Sequence, residues 1–247
     1  MVELKSMRGV GKAVAVLAVL AAGIAVISRP ADPLPGLPRI FIWAWERPED
    51  LSALDPRSAG VAFLARTVFF HHAAVSVRPR QQPLRFAPGA VLMAVVRVES
   101  AGAPLPSPAA AAEAIVPAAR IAAVRALQID FDAVASERPF YRELLTEVRR
   151  RMPASMPLSI TALASWCDGD RWLHQAPVAE AVPMLFRAQV RVDPVRMQDP
   201  LCRSSAGVST DEPLPRPPRG RRVYVFSPRA WSPQDLRAAI HEVARWQ

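Results

Sequence analysis

Continuous apolar runs recur along the chain from residue 39 onward, separated by segments rich in proline and polar residues. Uninterrupted runs of this kind are typical of strands that are buried on both faces of a parallel sheet. They predict eight strands, at residues 39–45, 61–70, 90–98, 126–132, 158–166, 181–186, 206–210 and 222–226.

Helix-start signals follow several of these strands. A serine at the N-cap position, next to a proline or an acidic residue, satisfies the free backbone N–H groups of the first helical turn. Such starts occur at Ser107-Pro108, where Pro117 is expected to kink the helix, at Ser136-Glu137 and at Ser232-Pro233.

The segment between the second and third predicted strands carries no helix signal. Pro79, Pro83 and Pro88 interrupt it, which predicts a hairpin or an irregular excursion. Eight strands with helices after several of them predict an α/β fold, a small TIM-like (β/α)8 barrel over residues 39–247 with some helices reduced or missing. An open doubly wound sheet is the alternative, which is weakened because no glycine-rich phosphate loop follows the first strand.

The N-terminus has the pattern of a targeting segment. Three cations precede an uninterrupted run of small and apolar residues over positions 13–27, so residues 1–28 are predicted to be a signal peptide or a membrane anchor. Residues 29–38 then form a stiff, proline-rich linker. Because the positive flank stays in the cytoplasm, the domain is expected in the periplasm, either free or anchored to the inner membrane.

The formal net charge of +9 suggests nucleic acid as a partner, but the kind of cation argues against it. Lysine occurs only at Lys5 and Lys12, and all later cations are scattered arginines, as codon bias in a GC-rich genome would produce. Nucleic-acid binding is therefore disfavoured. The sequence carries no evidence on oligomeric state.

The two cysteines allow at most one disulfide and cannot form a zinc cluster. An exported domain meets an oxidising compartment, where a Cys167–Cys202 bridge would persist. However, Cys167 follows one predicted strand and Cys202 precedes the next but one, which would put the two thiols on opposite faces. The strand positions therefore favour two free cysteines over a bridge.

The strongest functional signal lies in residues 127–133, where apolar and polar side chains alternate. One face of this strand is apolar, and the other ends in Asp130 and Asp132. Carboxylates at the end of a buried strand are costly to desolvate, and folds tolerate them chiefly at functional sites. Two carboxylates on one face also repel each other, which raises the pKa of one so that it can act as an acid near neutral pH.

In a barrel of this type the chemistry collects at the C-terminal ends of the strands. These ends are rich in carboxylates, which perform glycosidic acid/base chemistry, and in tryptophans, which stack on sugar rings. The candidate catalytic residues are Asp132, Asp130, Glu212 and Glu99, and the candidate substrate-binding residues are Trp45, Glu46, Trp166, Asp168, Arg187, Asp211 and Trp231.

Each candidate also has a purely structural interpretation. Glu46 and Glu99 could be solvent-exposed loop residues, and residues 211–212 could form a turn before Pro213. The tryptophans could be part of the hydrophobic core. His71-His72 lacks a third ligand, so no metal site is predicted. No motif for a cofactor is present.

Five segments, at residues 128–133, 158–167, 182–187, 207–213 and 223–232, resemble one uncharacterised bacterial family. It is a domain of unknown function that is grouped with glycoside-hydrolase-like TIM barrels, and the similarity spans roughly residues 39–246. The resemblance implies the barrel fold more strongly than it implies a reaction.

The Asp130-Phe131-Asp132 strand is also similar to the fourth strand of chitinase-like barrels, in which a glutamate two residues after the last aspartate donates the proton. Here that position is Val134, and Glu137 lies too far into the next helix to replace it. A hydrolase of this type would need to pair Asp132 with a carboxylate from another strand, either Glu212 or Glu99.

The sequence thus predicts an exported, carbohydrate-active barrel that acts on an envelope or extracellular glycan through Asp132. The alternative is a non-catalytic barrel of the cell envelope that binds a glycan or acts as a scaffold. In both cases the partner is a glycan, with the membrane as a second partner if the N-terminal segment is retained.

Overall fold

The computed structural model describes residues 32–71, 73–187, 193, 197–215 and 217–247. The predicted signal or anchor segment at 1–28 lies outside these residues, as does the start of the predicted linker. None of the helices within these ranges combines the length and the apolar character that a membrane crossing requires.

Eight parallel strands close into a barrel at the centre of the fold. The chain contains eleven described strands, β1 Ile40–Ala44, β2 Glu49–Leu51, β3 Gly60–His71, β4 Ala74–Pro79, β5 Leu84–Phe86, β6 Leu92–Ser100, β7 Val124–Asp130, β8 Leu158–Leu163, β9 Glu180–Met184, β10 Ser205–Ser209 and β11 Arg222–Phe226. The order around the barrel is β1-β3-β6-β7-β8-β9-β10-β11, and β1 closes the ring by pairing with both β3 and β11. The prediction of eight strands in a TIM-like barrel is confirmed, and the open-sheet alternative is wrong.

The helices are few, and two of them begin at the predicted serine caps. The helix after β7 instead follows a 3-10 turn over Ala135–Glu137 and has no side-chain cap, so the cap predicted at Ser136 is wrong. The helices are α1 Pro108–Ile115, α2 Arg138–Arg151, α3 Ala164–Cys167 and α4 Pro233–Ala244. The Ser107 hydroxyl accepts a hydrogen bond from the Ala110 N–H at 3.2 Å, and α1 changes into a 3-10 turn over Val116–Arg120, at the predicted kink. The Ser232 hydroxyl caps α4 in the same way.

The proline-rich segment after β3 folds as a hairpin, as predicted. β4 runs antiparallel to β3, from the His71–Ala74 pair to the Arg66–Pro79 pair. β5 then pairs in parallel with β2 to form a small second sheet that the hydrophobic pattern did not predict, since both strands have only three residues. These elements occupy the place that helices would have after β1 and β3 in a full TIM barrel.

The barrel interior is partly apolar and partly polar. Its apolar part is a cluster that is separate from the outer core between strands and helices, and it consists of Leu34, Phe41, Trp43, Ala62, Met93, Val95, Ala126, Val182 and Tyr224. Gly207 leaves room for the large indole of Trp43, because a Cβ there would lie 3.1 Å from the ring.

The polar part of the interior is a chain of hydrogen bonds that crosses the barrel. The Trp43 indole donates to Gln128 at 2.9 Å, Gln128 donates to the Ser159 hydroxyl at 3.1 Å, and Ser159 donates to Glu180 at 3.1 Å. The Tyr224 hydroxyl donates to the same Glu180 oxygen. Burial raises the pKa of Glu180, although the nearby Arg222, Tyr224 and Ser159 all favour its ionised form.

The described part of the predicted linker is not extended. Residues 32–37 form turns, and Leu34 is fully buried in the interior cluster. The physical cause is the buried Arg222, whose guanidinium donates to the carbonyls of Leu34 and Pro38 and to the carboxylate of Asp32.

The two cysteines form a disulfide, Cys167–Cys202, with their Cα atoms 5.8 Å apart. The expectation of two free thiols on opposite faces is wrong. The chain turns back after β8 through α3, and the segment before β10 binds to the end of this helix. The backbone N–H of Gln198 donates to the Cys167 carbonyl at 2.8 Å, which brings Cys202 alongside.

Candidate functional site

A cavity of about 590 Å3 opens at the C-terminal ends of the barrel strands. The residues that line it come from the ends of seven barrel strands and from β4, and this is the end of such barrels where sites are built. They are Trp43, Trp45, Glu46, Leu64, Thr67, Arg78, Val95, Arg97, Glu99, Gln128, Asp130, Asp132, Thr161, Leu163, Met184, Phe186, Arg187 and Phe226.

One side of the cavity is polar. The polar wall consists of Arg97 and Glu99 on β6, Asp130 and Asp132 at the end of β7, and Thr161 on β8. Arg97 donates to Asp130 at 3.0 Å and to Glu99 at 3.1 Å. The Thr161 hydroxyl donates to the second oxygen of Asp130 at 2.8 Å, so that this carboxylate is fixed from both sides.

Asp132 differs from Asp130 in its surroundings. No hydrogen bond or ion pair to Asp132 is found in the described part of the chain. Its side chain is accessible to solvent, but it lies at a concave mouth with protein on most sides. Burial raises the pKa of Asp132, and the neighbouring Asp130 raises it further, against the opposing effect of Arg97. This is the unequal carboxylate pair that the alternating pattern of β7 predicts.

The opposite side of the cavity is aromatic. The aromatic wall consists of Trp45 after β1, Phe186 after β9 and Phe226 at the end of β11. The Phe186 and Phe226 rings stack at 5.6 Å, and Trp45 meets Phe226 edge to face at 6.2 Å. In the order of the barrel, β11 lies four strands away from β7, and β1 lies three strands away from it. Trp45 and Phe226 therefore face the two aspartates across the cavity.

Arg97 connects the two walls. In addition to its ion pairs with Asp130 and Glu99, its guanidinium lies 5.7 Å from the centre of the Trp45 ring. Arg97 therefore holds one residue of the aromatic wall and two carboxylates of the polar wall in a fixed relation.

Two further predicted residues lie on the rim. One carboxylate oxygen of Glu46 accepts hydrogen bonds from the backbone N–H groups of Gln81 and Gln82, both at 3.0 Å. Arg187 lies next to the aromatic wall, with its guanidinium 5.9 Å from the centre of the Phe226 ring.

Of the predicted site residues, the structure brings six to the cavity and leaves five outside its lining. Those that line it are Trp45, Glu46, Glu99, Asp130, Asp132 and Arg187. Those that do not are Trp166, Asp168, Asp211, Glu212 and Trp231.

Trp166 and Trp231 are core residues rather than sugar platforms. β8 ends at Leu163, and the helical turn of α3 rotates Trp166 into the outer core, where it meets Trp172 edge to face at 4.8 Å. Trp231 precedes α4 and is also buried, with its indole N–H donating to the Trp43 carbonyl at 3.0 Å.

The acidic residues outside the lining have structural neighbours or face solvent. The Glu212 carboxylate accepts the backbone N–H of Arg187 at 2.9 Å, and Asp211 lies 3.5 Å from the Arg187 guanidinium. Neither carboxylate lines the cavity, but both contact Arg187, which does. Asp168 follows α3 and is exposed.

The structure adds cavity residues that the sequence analysis missed. Arg97 and Thr161 organise Asp130, and Gln128 connects the cavity floor to the buried network. Arg97 was detectable in principle, because it is the one charged residue within the apolar run of residues 92–98. Thr161 carries no such signal, since threonine is common in strands.

Among the described residues, no group of three or more histidine, cysteine, aspartate or glutamate side chains is arranged to hold a metal ion. His71 is exposed at the end of β3 and does not line the cavity. The other member of the histidine pair, at position 72, lies outside the described residues.

No curated protein and no solved structure matches this chain. One family model, described as "Domain of unknown function (DUF3142)", matches residues 89–179. These residues contain β6, β7 and β8, the three strands that carry the polar wall. Residues 89–179 are therefore similar to this family of unknown function, and the matched part includes every residue of the polar wall.

Proposed function

We propose that the barrel is a carbohydrate-active protein that binds a glycan in the cavity and acts on it by acid/base chemistry. One observation carries the proposal: an aspartate with a raised pKa faces an aromatic wall across an open cavity. Aromatic rings stack on the apolar faces of sugars, and a carboxylic acid opposite them is positioned to protonate a glycosidic oxygen.

In this proposal Asp132 is the acid. Its raised pKa keeps more of it protonated as the pH approaches neutrality, which a proton donor requires. Asp130 is the positioning residue, because its fixed negative charge contributes to the raised pKa of Asp132.

Glu99 is the best candidate for the second carboxylate. Arg97 pairs in register with Asp130 at the end of β7, and Glu99 and Asp132 each follow two residues later. Both residues also line a groove of about 430 Å3 that adjoins the cavity. Glu212 is less suited to this role, because its carboxylate is engaged by the Arg187 backbone.

The compartment is part of the proposal. An exported barrel would meet an envelope or extracellular glycan in the periplasm, either free or anchored to the inner membrane. The Cys167–Cys202 disulfide supports this location, because structural disulfides persist in oxidising compartments.

The test is the release of reducing ends from a panel of envelope and extracellular polysaccharides by the purified domain. Asp132→Asn is expected to reduce turnover by about 100-fold or more, the usual contribution of a general acid. Activity of the native protein should fall as the pH rises through the raised pKa of Asp132.

Asp50→Asn, an exposed change on β2 away from the cavity, is the matched control. Turnover that is unchanged in Asp132→Asn would refute the role of this residue.

A non-catalytic glycan-binding barrel is the second candidate, and two observations favour it. Arg97 pairs with both Asp130 and Glu99, which engages two carboxylates that hydrolysis would need. Val134, at the position of the chitinase-like acid, is 58% exposed and has no proton to donate. Polysaccharide binding that survives Asp132→Asn, without any release of reducing ends by the native protein, would select this function.

A further inference from the structure

Arg187 is held in a backbone conformation that does not suit an arginine. Its φ of 51° lies in the left-handed region, which side chains with a Cβ adopt at a cost and which glycine adopts freely. Such outliers persist where the surrounding structure enforces them, and they concentrate at functional sites.

Two neighbouring acidic residues enforce this conformation. Glu212 accepts the backbone N–H of Arg187 at 2.9 Å, and Asp211 lies 3.5 Å from one terminal nitrogen of its guanidinium. The guanidinium carbon lies 5.9 Å from the centre of the Phe226 ring of the aromatic wall. The backbone and the guanidinium of Arg187 therefore both contact residues after β10 and at the end of β11.

Toward the residues that the structure describes, most of the hydrogen-bonding capacity of this guanidinium is unused. A guanidinium carries five N–H donors in a planar fork, and only one terminal nitrogen of Arg187 reaches an acceptor in the described part of the chain. The side chain is 61% exposed at the cavity mouth. A fixed fork with free donors is the arrangement that recognises a carboxylate in a bidentate manner.

A second arginine lies on the other side of the mouth. Arg78 on β4 lines the same cavity, its guanidinium lies 5.2 Å from the Phe69 ring centre, and no acidic partner for it is found among the described residues. β4 extends the sheet from β3, which lies four strands away from β9 in the barrel order. Asp132, on β7, lies midway between the two arginines around the ring.

We infer that the cavity is specific for an acidic glycan, an oligosaccharide that carries sugar carboxylates, and that Arg187 is the residue that recognises one of them. The inference rests on the proposed glycan function and names its substrate class. Asp211 and Glu212 are positioning residues, which act through Arg187. Arg78 would contact a second acidic sugar of the same chain, so that the chain crosses Asp132 between the two cations.

The experiment compares acidic oligosaccharides with neutral counterparts of the same linkage. The probes are oligogalacturonate with its methyl ester, and oligoglucuronate with its carboxyl-reduced form, each titrated by calorimetry. We expect at least one acidic probe to bind about tenfold or more tightly than its neutral counterpart, as one charged hydrogen-bonding contact would give. This preference should decrease as the salt concentration rises.

Variants assign the preference to Arg187. Arg187→Met should abolish the preference for the acidic probe, measured as the ratio of the affinities for the acidic and neutral probes in the same variant, while Arg187→Lys should retain part of it. Arg187→Gly should lose the preference but raise the melting temperature, because glycine relieves the left-handed strain. Glu212→Ala, which removes the oxygen that accepts the Arg187 backbone N–H, should weaken binding of the acidic probe more than that of the neutral probe, a difference that a purely structural role would not produce. Arg57→Met, the same charge change at an exposed position outside the cavity, is the control.

The outcomes separate the two proposals. Equal affinity of the native protein for acidic and neutral probes would overturn the acidic specificity and leave the glycan function in place. A preference that persists in Arg187→Met would overturn the role of Arg187. If no glycan binds, acidic or neutral, the proposed function fails and the inference fails with it.

Discussion

At the scale of single residues, the site shows how one short motif produces two different carboxylates. Asp130 and Asp132 leave the same face of β7, two positions apart. Asp130 receives hydrogen bonds from Arg97 and Thr161, whereas Asp132 lies one step beyond the reach of both. Burial and the charge of Asp130 raise the pKa of Asp132, and Arg97 opposes them only in part. The alternating pattern is enough to predict the pair, but the side chains that distinguish its members come from neighbouring strands.

The raised pKa of Asp132 has a consequence for stability. A carboxyl whose pKa is higher in the folded state than in the unfolded state destabilises the fold at pH values above its folded pKa. The penalty disappears as the pH falls below the ordinary value of 3.8, where both states are protonated. Asp132→Asn is therefore expected to be more stable than the native protein at pH 7 and equally stable at pH 3.5.

Urea denaturation at the two pH values measures this difference. Asp50→Asn provides a control of opposite sign, because hydrogen bonds from Ser52 lower the pKa of Asp50 and its charge favours the fold. Loss of stability in Asp132→Asn at pH 7 would contradict the assigned direction of the shift.

At the scale of elements, the strands were predictable and their ends were not. A continuous apolar run identifies a strand that is buried on both faces, which is why all eight barrel strands were found. The run over residues 158–166 is equally apolar in strand β8 and in helix α3, so no hydrophobic pattern marks the change at Leu163. Trp166 therefore lies in α3 and packs in the core, since a shift of a few residues moves a side chain from the cavity to the core.

The same limit applies to the polar interior. Four barrel strands, β7, β8, β9 and β11, each contribute to the network around Glu180. A glutamate at the start of a strand gives no sign in the sequence of whether it faces water or the barrel axis.

Replacing Glu180 tests how far the network stabilises the barrel. Glu180→Leu leaves the buried Arg222 without its interior counter-charge, and we expect a loss of about 3–5 kcal/mol in the free energy of unfolding. Glu180→Gln keeps an oxygen that accepts from Tyr224 and Ser159, so it should lose less. Chemical denaturation gives both values, and equal losses in the two variants would show that the charge of Glu180 rather than its hydrogen bonds stabilises the barrel.

At the scale of the whole molecule, a closed barrel with few helices carries the site on strand ends. The composition and the strand count were enough to predict this architecture, whereas the disulfide was not predictable from them. Cys167 and Cys202 meet only because α3 and the segment before β10 bind to each other outside the barrel. Contacts of that kind depend on irregular segments, which have no periodic signal.

The disulfide is expected to stabilise the fold by restricting the unfolded chain. It joins residues separated by 35 positions, and such a cross-link reduces the conformational freedom of the unfolded state. The double variant Cys167→Ser/Cys202→Ser should lose about 3–4 kcal/mol in the free energy of unfolding on the chain-entropy estimate. Native protein treated with a reductant should show a comparable loss, and resistance of the melting temperature to both treatments would contradict this role.

The way β1 closes the ring also determines when the barrel can form during synthesis. β1 pairs with β11, and Arg222 at the start of β11 donates to Asp32, 190 positions earlier in the chain. Contacts between such distant segments form slowly, because the whole intervening chain must be ordered first. A chain emerging from the ribosome thus holds seven barrel strands with an unpaired edge on β1 until β11 arrives. An exposed edge of this kind invites aggregation. The barrel closes in one late step. Until that step, its exposed strand edge must be kept from pairing with other chains.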